Sequence, residues 1–494
     1  MNGTVTQAHT DVVVVGGGPV GMLVAAELAA FGVRTTVVEA ATRTPDQPKA
    51  GTVHARAVQS LVRRGYLPGV YAPGAVSESE PFHFAGLPVL NISVPKGEPR
   101  PILKRAQADL EREFEARAAE RGARIVRGYR VTEVRQGPDG VEVTAEGPDG
   151  ALVCSGQYLV GADGARSTVR ERLGFTADTS PATVSALMGL VRFPDPDAVP
   201  RGWQRTPRGW TVARVGADGM GLIRTLDCAG PHPDRSARPT VAELSAEASR
   251  IAGHPIAMTD PVHITRFGDY TRLVHHYRQG RAFLAGDAAH VHLPIGGQGL
   301  STGLLDGLNL AWKLAHAVLG TAGEDLLDSY EAERRPAARR VVDNTRAQLA
   351  LMREGGEVDP LREVFAQLLA LEQADHLISD MISGQDTAYP ARTPGGSVWE
   401  GTFLANLPLH LADGPSDLVR LLGGTRSLLL VRSQAGEFAE QARPWQDVLR
   451  TVTVRGTLPC AALLVRPDGH VAWAADGGGP LAEALRSWFG ERHR

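Results

Sequence analysis

A buried strand, a glycine-rich turn and an apolar helix follow one another near the N-terminus. The run VVVV precedes Gly16, Gly18 and Gly21, and an apolar helical stretch extends over roughly residues 19–31. A second apolar strand, RTTVVEA, follows and carries Glu39 near its end. This order predicts a β-α-β unit of a parallel sheet, because parallel neighbours need a crossover that packs back onto the sheet.

The glycine spacing is typical of a dinucleotide-binding turn. Gly16 permits the tight turn, Gly18 lets the backbone approach a pyrophosphate, and Gly21 allows close helix packing. Glu39 lies 18 residues past Gly21, where a carboxylate can accept ribose hydroxyls and would repel the extra phosphate of NADP. We therefore predict Gly16, Gly18, Pro19, Gly21 and Glu39 as contacts of FAD or NAD. A glycine turn that only packs a helix on a sheet is the alternative.

Composition excludes several classes of protein. The 494 residues suffice for roughly two to four domains, and a net charge of −3 gives no basic field for nucleic acid. The three cysteines form no CxxC pair, which is typical of a reducing cytoplasm. Residues 12–31 are apolar, but glycines and a proline interrupt them and Asp11 precedes them, so we expect a soluble, cytoplasmic protein without a membrane span.

Periodicity predicts further elements between the glycine turn and residue 160. The stretch 103–122 has apolar residues at helical spacing and is predicted to be one helix. The runs RGYRVTEVRQ and GVEVTAEG are predicted to form a hairpin around the turn at 137–140.

A second group of motif residues, after the glycine turn, lies at 281–315. A strand ends at Gly286-Asp287, and Pro294, a glycine loop and a long helix follow. Here the chain resembles the group A flavoprotein aromatic monooxygenases, which have the para-hydroxybenzoate hydroxylase-like fold. The resemblance implies that the Asp287 carboxylate takes a ribityl hydroxyl of FAD.

The same resemblance implies that the loop from Pro294 to Ser301 wraps the flavin ring. Its predicted contacts are Pro294, Gly297, Gly299, Leu300 and Ser301. The helix that starts near Gly299 would direct its positive end at the flavin and stabilise negative charge there.

Three further resemblances concern single positions. Asp163-Gly164 resembles the DG motif of the family, which supports FAD and is implicated in NAD(P)H use. Gln107, on a helix at 106–120, matches a glutamine that faces the diphosphate–ribityl region, and Lys49 stands where the family has an arginine that contacts the pyrophosphate. Nearby, Arg166 and Arg170 are either phosphate contacts or residues of a solvated helix start capped by Ser167.

The fold class that follows is α/β: a Rossmann-like FAD-binding domain, an inserted β-sheet substrate domain and a C-terminal thioredoxin-like α/β domain. We assign 1–177 and 276–390 to the discontinuous FAD-binding domain, 178–275 to the substrate-binding sheet and 395–494 to the C-terminal domain. The last resembles the extension of the polyketide-tailoring branch of the family. Without a CxxC pair we expect it to be scaffolding or interface.

The implied function is FAD- and NAD(P)H-dependent oxygen insertion from dioxygen into a polycyclic aromatic polyketide by way of a peroxyflavin. Aromatic hydroxylation in antibiotic biosynthesis is the expected outcome. Baeyer–Villiger insertion and a flavin-binding scaffold without turnover are the alternatives. No membrane or nucleic-acid partner is expected, and the chain is expected to be a monomer or homodimer.

No residue pattern identifies the catalytic residues. His275, His276, His290 and His292 lack accompanying ligands at metal spacing, so no metal site is predicted. His54 and Arg56 lie either near the flavin mouth or on a solvent-facing helix. A larger set on the inserted sheet could line an aromatic pocket or pack in a core: Trp203, Trp210, Met220, Arg224, His263 and Phe267.

The first testable prediction concerns the cofactor. The purified protein should be yellow and should release FAD on acid or heat, because no special His or Cys context indicates covalent attachment. Absorbance and chromatography of the released flavin measure this. Release of FMN, or a colourless protein that does not take up FAD, would contradict it.

Overall fold

The computed structural model describes residues 5–47, 49–70, 78–234, 237–392, 396–477 and 479–492. The predicted domain start at residue 395 lies outside these residues. The strands in chain order are β1 Val5–His9, β2 Val12–Val15, β3 Thr35–Glu39, β4 Thr52–His54, β5 Ser79–Phe84, β6 Leu87–Ser93, β7 Ile102–Lys104, β8 Arg124–Arg127, β9 Arg130–Gly137, β10 Gly140–Gly147, β11 Gly150–Gly156, β12 Tyr158–Gly161, β13 Ala177–Ser180, β14 Ser185–Arg192, β15 Gly202–Thr206, β16 Gly209–Val215, β17 Met220–Asp227, β18 Thr259–Gly268, β19 Thr271–Val274, β20 Arg278–Gln279, β21 Ala282–Leu284, β22 His290–Val291, β23 Pro408–Leu411, β24 Gly414–Asp417, β25 Ser427–Arg432, β26 Leu449–Val454, β27 Ala462–Val465 and β28 Val471–Ala474.

The α-helices in chain order are α1 Pro19–Ala30, α2 Ala55–Arg63, α3 Gln107–Glu120, α4 Thr168–Arg172, α5 Val241–Ala252, α6 Gln298–Val318, α7 Asp325–Met352, α8 Val358–Leu369, α9 Glu372–Ser383, α10 Leu418–Leu421, α11 Gly436–Ala442 and α12 Leu481–Phe489. Short 3-10 turns cover Pro196–Ala198, Gly286–Ala288, Ile295–Gly297 and Arg443–Trp445. Within the described ranges, no helix combines the length and apolar character needed to cross a membrane.

A six-stranded sheet with the order β20-β21-β12-β2-β3-β8 forms the centre of the molecule. β2 pairs in parallel with β12 and β3, and β12 pairs in parallel with β21. β2 consists of four buried valines, the pattern of a strand covered on both faces. α1 connects β2 to β3, so the predicted β-α-β unit is confirmed.

Small residues let α6 pack closely against α1. A Cβ on Gly303 would lie 2.8 Å from Val20, and a Cβ on Gly307 would lie 3.2 Å from Val24. These glycines therefore fix how near the N-terminus of α6 comes to the glycine turn at the start of α1.

A second sheet, β15-β16-β17-β14-β18, is antiparallel throughout. One face carries Leu187 and Ile223 and packs on Leu244 of α5. Residues of the opposite face belong to the same hydrophobic cluster as Leu293 and Ile295, at the start of the glycine loop. The sheet thus stands over the loop that was predicted to wrap the flavin. Assigning 178–275 to substrate stays a prediction.

The C-terminal part has the strand order β26-β25-β27-β28. β25 is parallel to β26 and antiparallel to β27, which forms a hairpin with β28. α11 follows β25 and α12 follows β28. This arrangement is thioredoxin-like, which confirms the predicted fold class.

Buried charges join the C-terminal part to the central domain. Glu333 on α7 accepts hydrogen bonds from Arg466 and Lys313, each at 2.8 Å. Asp468 also pairs with Arg466 and accepts from the indole of Trp312 at 3.2 Å. Burial by itself raises the pKa of Glu333, but Arg466 and Lys313 outweigh it and hold that pKa at about 2.

The helix begins later than the apolar spacing from residue 103 indicated, and α3 matches the helix at 106–120 that was predicted to carry Gln107. Residues Ile102–Lys104 form β7, and α3 begins only at Gln107. Leu103 pairs with Val53 of β4, so ladder hydrogen bonds to a distant segment replace the local helical ones. The hairpin around 137–140 is confirmed by β9 and β10.

The buried network predicts a large loss of stability on removal of one partner. Arg466→Met should lower the free energy of unfolding by about 3–5 kcal/mol, because it leaves Glu333 and Asp468 as buried charges without their main cation. Chemical denaturation followed by circular dichroism measures this. The control Arg443→Met removes an exposed pair with Glu440 and should change stability by less than about 1 kcal/mol.

The pH dependence gives a second readout of the same pair. Since the pKa of Glu333 lies at about 2, below its unfolded value, its stabilisation is full above about pH 4.5 and is lost as the pH falls toward 2. The wild type should therefore lose stability more steeply than Arg466→Met over that range. Parallel curves, or equal losses in Arg466→Met and Arg443→Met, would contradict the assigned role of the pair.

Candidate active site

The predicted motifs follow four adjacent parallel strands. Glu39 ends β3, Gly16 follows β2, Asp163 lies two residues past β12, and Asp287 lies three residues past β21. These strands are neighbours in the order β21-β12-β2-β3. Since the carboxyl ends of parallel strands meet at one edge, the motifs converge on the crevice where such folds bind ligands.

In the glycine turn, Gly16 and Gly21 allow close packing of the backbone, whereas Gly18 leaves space for a ligand. Gly16 has φ +104°, and a Cβ there would meet the carbonyl oxygen of Ala162 at 2.4 Å. A Cβ on Gly21 would lie 2.0 Å from the Gly16 oxygen. A Cβ on Gly18 would meet no described atom within 4 Å. The backbone at Gly18 therefore opens onto free space at the N-terminus of α1, as a pyrophosphate requires.

Glu39 is held toward this turn. Its carboxylate accepts hydrogen bonds from the backbone N–H of Gly17 at 2.5 Å and of Ala41 at 2.6 Å. The side chain is only half buried. The two backbone donors fix the carboxylate at the edge of the crevice and leave acceptor capacity for a ribose.

Asp287 presents an unpartnered carboxylate to the crevice. Its side chain is accessible to solvent and makes no hydrogen bond to the described part of the chain, yet protein surrounds it. Burial raises its pKa, while the charges of His290 and Lys49 act in the opposite direction. Lys49 is exposed and lies near enough to act electrostatically on both Asp287 and Glu111.

Asp306 fixes the turn that carries Asp287. The fully buried carboxylate of Asp306 accepts from the Gly286 N–H at 3.1 Å and from His290 Nε2 at 2.8 Å. Its other oxygen accepts from Arg334 Nε at 2.8 Å. Sequence reasoning missed Asp306, although it lies within the helix of the 281–315 segment.

The 294–301 loop takes a conformation that needs glycine. Gly296 and Gly297 have φ of +72° and +66°, and the exposed Pro294 precedes the short 3-10 turn. His54 Nε2 donates to the Gly296 carbonyl at 2.7 Å, and the backbone N–H of His54 donates to the Ser301 hydroxyl at 3.0 Å. His54 thus ties the loop to β4.

The helix after this loop begins at Gln298, one residue before the predicted start near Gly299. A Cβ on Gly299 would lie 3.3 Å from His292 Nε2, and Leu300 is buried in the main core. The hydroxyl of the buried Ser301 accepts the hydrogen bond from the backbone N–H of His54. Contacts of these three residues with the flavin stay predictions.

Asp163 and Gln107 have different surroundings. Asp163 Oδ2 accepts from the Val169 N–H at 3.1 Å at the start of α4, while its Oδ1 is buried without a partner in the described chain. Burial raises the pKa of Asp163. Gln107 is the first residue of α3 and is half buried; its backbone N–H donates to the Ala50 carbonyl at 3.0 Å, while its side-chain amide makes no hydrogen bond within the described residues.

The arginines beside α4 separate into two cases. Arg170 is buried and donates to the carbonyls of Ala288 and Ala165, each at 3.1 Å, so its guanidinium links two turns of the chain. Arg166 is exposed. The predicted cap is confirmed, since Ser167 Oγ accepts from the Arg170 N–H at 2.9 Å.

The solvent-facing alternative for α2 is wrong. His54 is fully buried, and Arg56 is only 8% exposed. Arg56 donates to Gln59 and to the Gln385 carbonyl, each at 2.7 Å, and lies 3.8 Å from the centre of the Phe403 ring. Every residue of α2 is buried, which its charged sequence did not indicate.

An aromatic cluster missed by sequence reasoning connects the loop side to the inserted sheet. Phe82 stacks on His83 at 4.8 Å between ring centres, and His83 contacts Trp203 at 4.5 Å. His54 meets Phe82 edge-on at 5.2 Å. Burial, together with His54, Lys104 and Arg224, lowers the pKa of His83 to about 4, so its ring is neutral near pH 7.

The strand registers place all six proposed pocket residues on one face of the inserted sheet: Trp203, Trp210, Met220, Arg224, His263 and Phe267. This is the face that looks toward the loop. Trp210 is nevertheless a core residue, 2% exposed, whose indole donates to the Met352 carbonyl at 2.8 Å.

The four histidines of 275–292 have separate partners. His275 contacts Asp178, His276 contacts Glu331, and His290 contacts Asp306. His292 Nδ1 lies 2.9 Å from the Leu293 carbonyl oxygen. In the part of the chain that the structure describes, no group of three or more His, Cys, Asp or Glu residues is placed to hold a metal ion.

These features fit FAD. Gly18 leaves space at a helix N-terminus, Asp287 offers an unpartnered carboxylate, and the half-buried Glu39 lies at the adenosine end of the crevice. The fold and the site define a flavoprotein with an inserted sheet above the flavin loop.

Comparison with known proteins identifies the family. A family model described as an FAD binding domain matches residues 9–345, and one described as the C-terminal part of aromatic-ring hydroxylases matches residues 397–491. A 12-dehydrotetracycline 5-monooxygenase/anhydrotetracycline 6-monooxygenase of Streptomyces rimosus is 35% identical over 97% of this chain and 99% of that protein. A dialkyldecalin synthase of Streptomyces rugosporus is 36% identical over 97% and 98% of the two chains.

The solved structures agree. The crystal structure of CabE, an aromatic hydroxylase from angucycline biosynthesis, matches with a TM-score of 0.91 and 35% identity over 98% of this chain and 100% of that chain. The chain belongs to the family of FAD-dependent aromatic-ring hydroxylases. This confirms the resemblance, FAD as the cofactor and monooxygenase as the enzyme class.

Two glycine positions of the turn, Gly18 and Gly21, should respond differently to alanine. Gly18→Ala should leave folding intact, because φ is −73° and the added Cβ meets no described atom, but it should weaken FAD binding by filling the space at the helix N-terminus. The matched control Gly21→Ala should destabilise the FAD-free protein, because its Cβ would lie 2.0 Å from the Gly16 oxygen. Thermal unfolding and FAD titration separate the two, and wild-type FAD affinity in Gly18→Ala would contradict the assignment.

Asp287→Ala should weaken FAD binding about 10- to 100-fold, as expected for loss of a charge-assisted hydrogen bond of about 1.5–3 kcal/mol. It should not destabilise the FAD-free protein, because burial raises the pKa of Asp287 and thus already disfavours its charged form. Asp139→Ala, at an exposed turn, is the control for fluorescence titration of FAD. Unchanged FAD affinity would show that Asp287 does not contact the cofactor.

Proposed function

We propose that the protein uses NAD(P)H, FAD and dioxygen to insert one oxygen atom into a polycyclic aromatic polyketide. Relatives named for tetracycline and angucycline chemistry support this substrate class. The observation that carries the proposal is the group of rings formed by Phe82, His83 and Trp203, which lies in the hydrophobic cluster shared by the inserted sheet and the segment at 293–295. We assign the space beside these rings, the cleft between the 294–301 loop and the inserted sheet, to the substrate. Flat apolar rings of this kind suit a planar substrate.

Bound FAD supplies hydride acceptance and dioxygen activation, and the protein supplies position and environment. Glu39, Gly18 and Asp287 hold the cofactor along the strand ends, while His54 holds the loop beside it. The inserted sheet covers the loop through Leu293 and Ile295 and so limits water at the reacting ring.

His83 is the residue we assign to the substrate hydroxyl. Its Nδ1 is buried without a hydrogen-bond partner in the described chain, and its lowered pKa of about 4 keeps the ring neutral at pH 7. A neutral imidazole nitrogen can accept a hydrogen bond from a phenol and orient the ring toward the flavin.

Two other reactions are separated by product analysis. Baeyer–Villiger insertion also adds one oxygen atom but breaks a carbon–carbon bond, so product structure distinguishes it where mass does not. One relative is named a dialkyldecalin synthase and not a monooxygenase. A protein of that kind, or a scaffold, would not couple NAD(P)H oxidation to an aromatic ligand.

A panel of aromatic polyketide intermediates should therefore stimulate NADPH or NADH oxidation, with the oxygen of a hydroxylated product coming from labelled dioxygen. His83→Ala should lower product formed per NADPH consumed while FAD content stays at the wild-type level, because His83 lies on the substrate side. The matched control is His276→Ala, an exposed histidine paired with Glu331. Absence of ligand-stimulated oxidation across the panel would refute the proposed activity.

A further inference from the structure

Two arginines lie side by side on the cleft face of the inserted sheet. In the register of β16 and β17, Arg224 stands opposite Val212 and Arg214 stands opposite Leu222. Residues directly opposite each other share a face, so Arg214 and Arg224 are diagonal neighbours about one pleat apart. Trp203 of β15 stands opposite Val212 and therefore lies in the same row as Arg224.

Neither guanidinium has a partner in the described residues. Arg214 and Arg224 make no hydrogen bond or ion pair there, and both are accessible to solvent. Protein nevertheless surrounds Arg224, and burial together with Arg214 lowers its pKa. By contrast, Arg266 on the helix-covered face of the same sheet pairs with Glu243 at 2.7 Å. On the same face as Arg224, Arg192 pairs with Asp260 and Arg205 pairs with Asp359. Among the strand arginines of this face, Arg214 and Arg224 are thus the two without a carboxylate in the described residues.

A third cation faces the same space from the flavin side. Lys104 at the end of β7 donates to the Thr52 hydroxyl at 3.1 Å and lies 5.8 Å from the centre of the Phe82 ring. Burial and Arg214 lower its pKa, Glu80 acts against them, and Arg224 adds to the lowering. The cleft therefore concentrates positive charge beside its aromatic wall, with Glu80 as the opposing carboxylate.

We propose that the aromatic substrate enters this cleft as an anion and that Arg224 and Arg214 bind its charged oxygen. The substrate class is a planar polycycle with a carboxylate, an ionised phenol or an ionised enol. This inference rests on the proposed function and names the charge of its substrate. Paired guanidiniums suit such oxygens because their N–H groups form charge-assisted bonds.

The position of the pair favours substrate over the phosphates of a dinucleotide. Arg224 shares its row with Trp203, which contacts His83, so a bound ring would stack there while its charged edge meets the arginines. The pyrophosphate site lies elsewhere, at Gly18 and the N-terminus of α1.

The test is equilibrium binding to the oxidised, FAD-loaded protein without NADPH. The probes are anthracene-2-carboxylate and its neutral carboxamide, followed by flavin absorbance or tryptophan fluorescence. Arg224→Gln and Arg214→Gln should each weaken carboxylate binding at least about tenfold and change carboxamide binding by less than about twofold. Arg224→Lys should recover part of the loss. Arg135→Gln, an exposed arginine on β9, removes the same charge outside the cleft and should bind both probes as the wild type does.

Several results would overturn the proposal. One is a wild-type protein that binds the carboxylate no more tightly than the carboxamide. Another is an equal loss of affinity for both probes in Arg224→Gln and Arg214→Gln. A third is a loss of carboxylate affinity in Arg135→Gln as large as that in the cleft variants. Weaker equilibrium binding of NADP+ with unchanged carboxylate binding would assign the pair to the dinucleotide instead, and so would also overturn it. Because no oxidation is measured, failure of the proposed reaction would not produce any of these results.

Discussion

The buried carboxylate of Asp306 is the interaction on which the arrangement of the site depends. It holds Gly286 and His290 on one side and Arg334 on the other, so one side chain of α6 fixes the turn after β21 and the position of α7. Burial by itself raises the pKa of Asp306, but Arg334 and His290 outweigh it and keep the carboxylate ionised. Asp287, in the same turn, is free to face the crevice because Asp306 satisfies the neighbouring backbone.

The residue that precedes Arg334 on α7, Glu333, connects this site to the C-terminal part. Arg334 pairs with Asp306, and Glu333 pairs with Arg466 across the junction. Arg334 also donates to the Tyr389 hydroxyl at 3.2 Å, and Tyr389 stacks on His470 at 4.1 Å. The thioredoxin-like part has no CxxC pair and is joined to α7 by these buried contacts, while its scaffolding role stays a prediction.

The features that sequence predicted well are those whose physical cause is local. The turn from Gly16 to Glu39 lies within one β-α-β unit, so spacing alone places its residues at adjacent strand ends. The features that sequence missed depend on distant partners. Residues 102–104 look helical but pair with β4, and His83 gains its surroundings from Trp203, which is far away in the chain.

The sequence placed Trp203, Trp210 and Arg224 on an inserted sheet, but it did not indicate which side chains share a face or which of them reach open space. Trp210 and Arg224 lie on the same face, and Trp210 is a core residue because Trp203, Arg362 and the Met352 carbonyl contact it. The cofactor contacts assigned to single residues likewise stay predictions, because their evidence is position at the crevice and not a bound flavin.

The most direct test of this account is a crystal structure of the protein with FAD and an aromatic ligand bound. The account predicts the pyrophosphate at Gly18, the ribityl chain at Asp287 and the flavin ring against the 294–301 loop. It predicts the ligand between that ring and the sheet face that carries Trp203 and Arg224. Flavin bound away from the four strand ends, or a ligand bound outside this cleft, would contradict it.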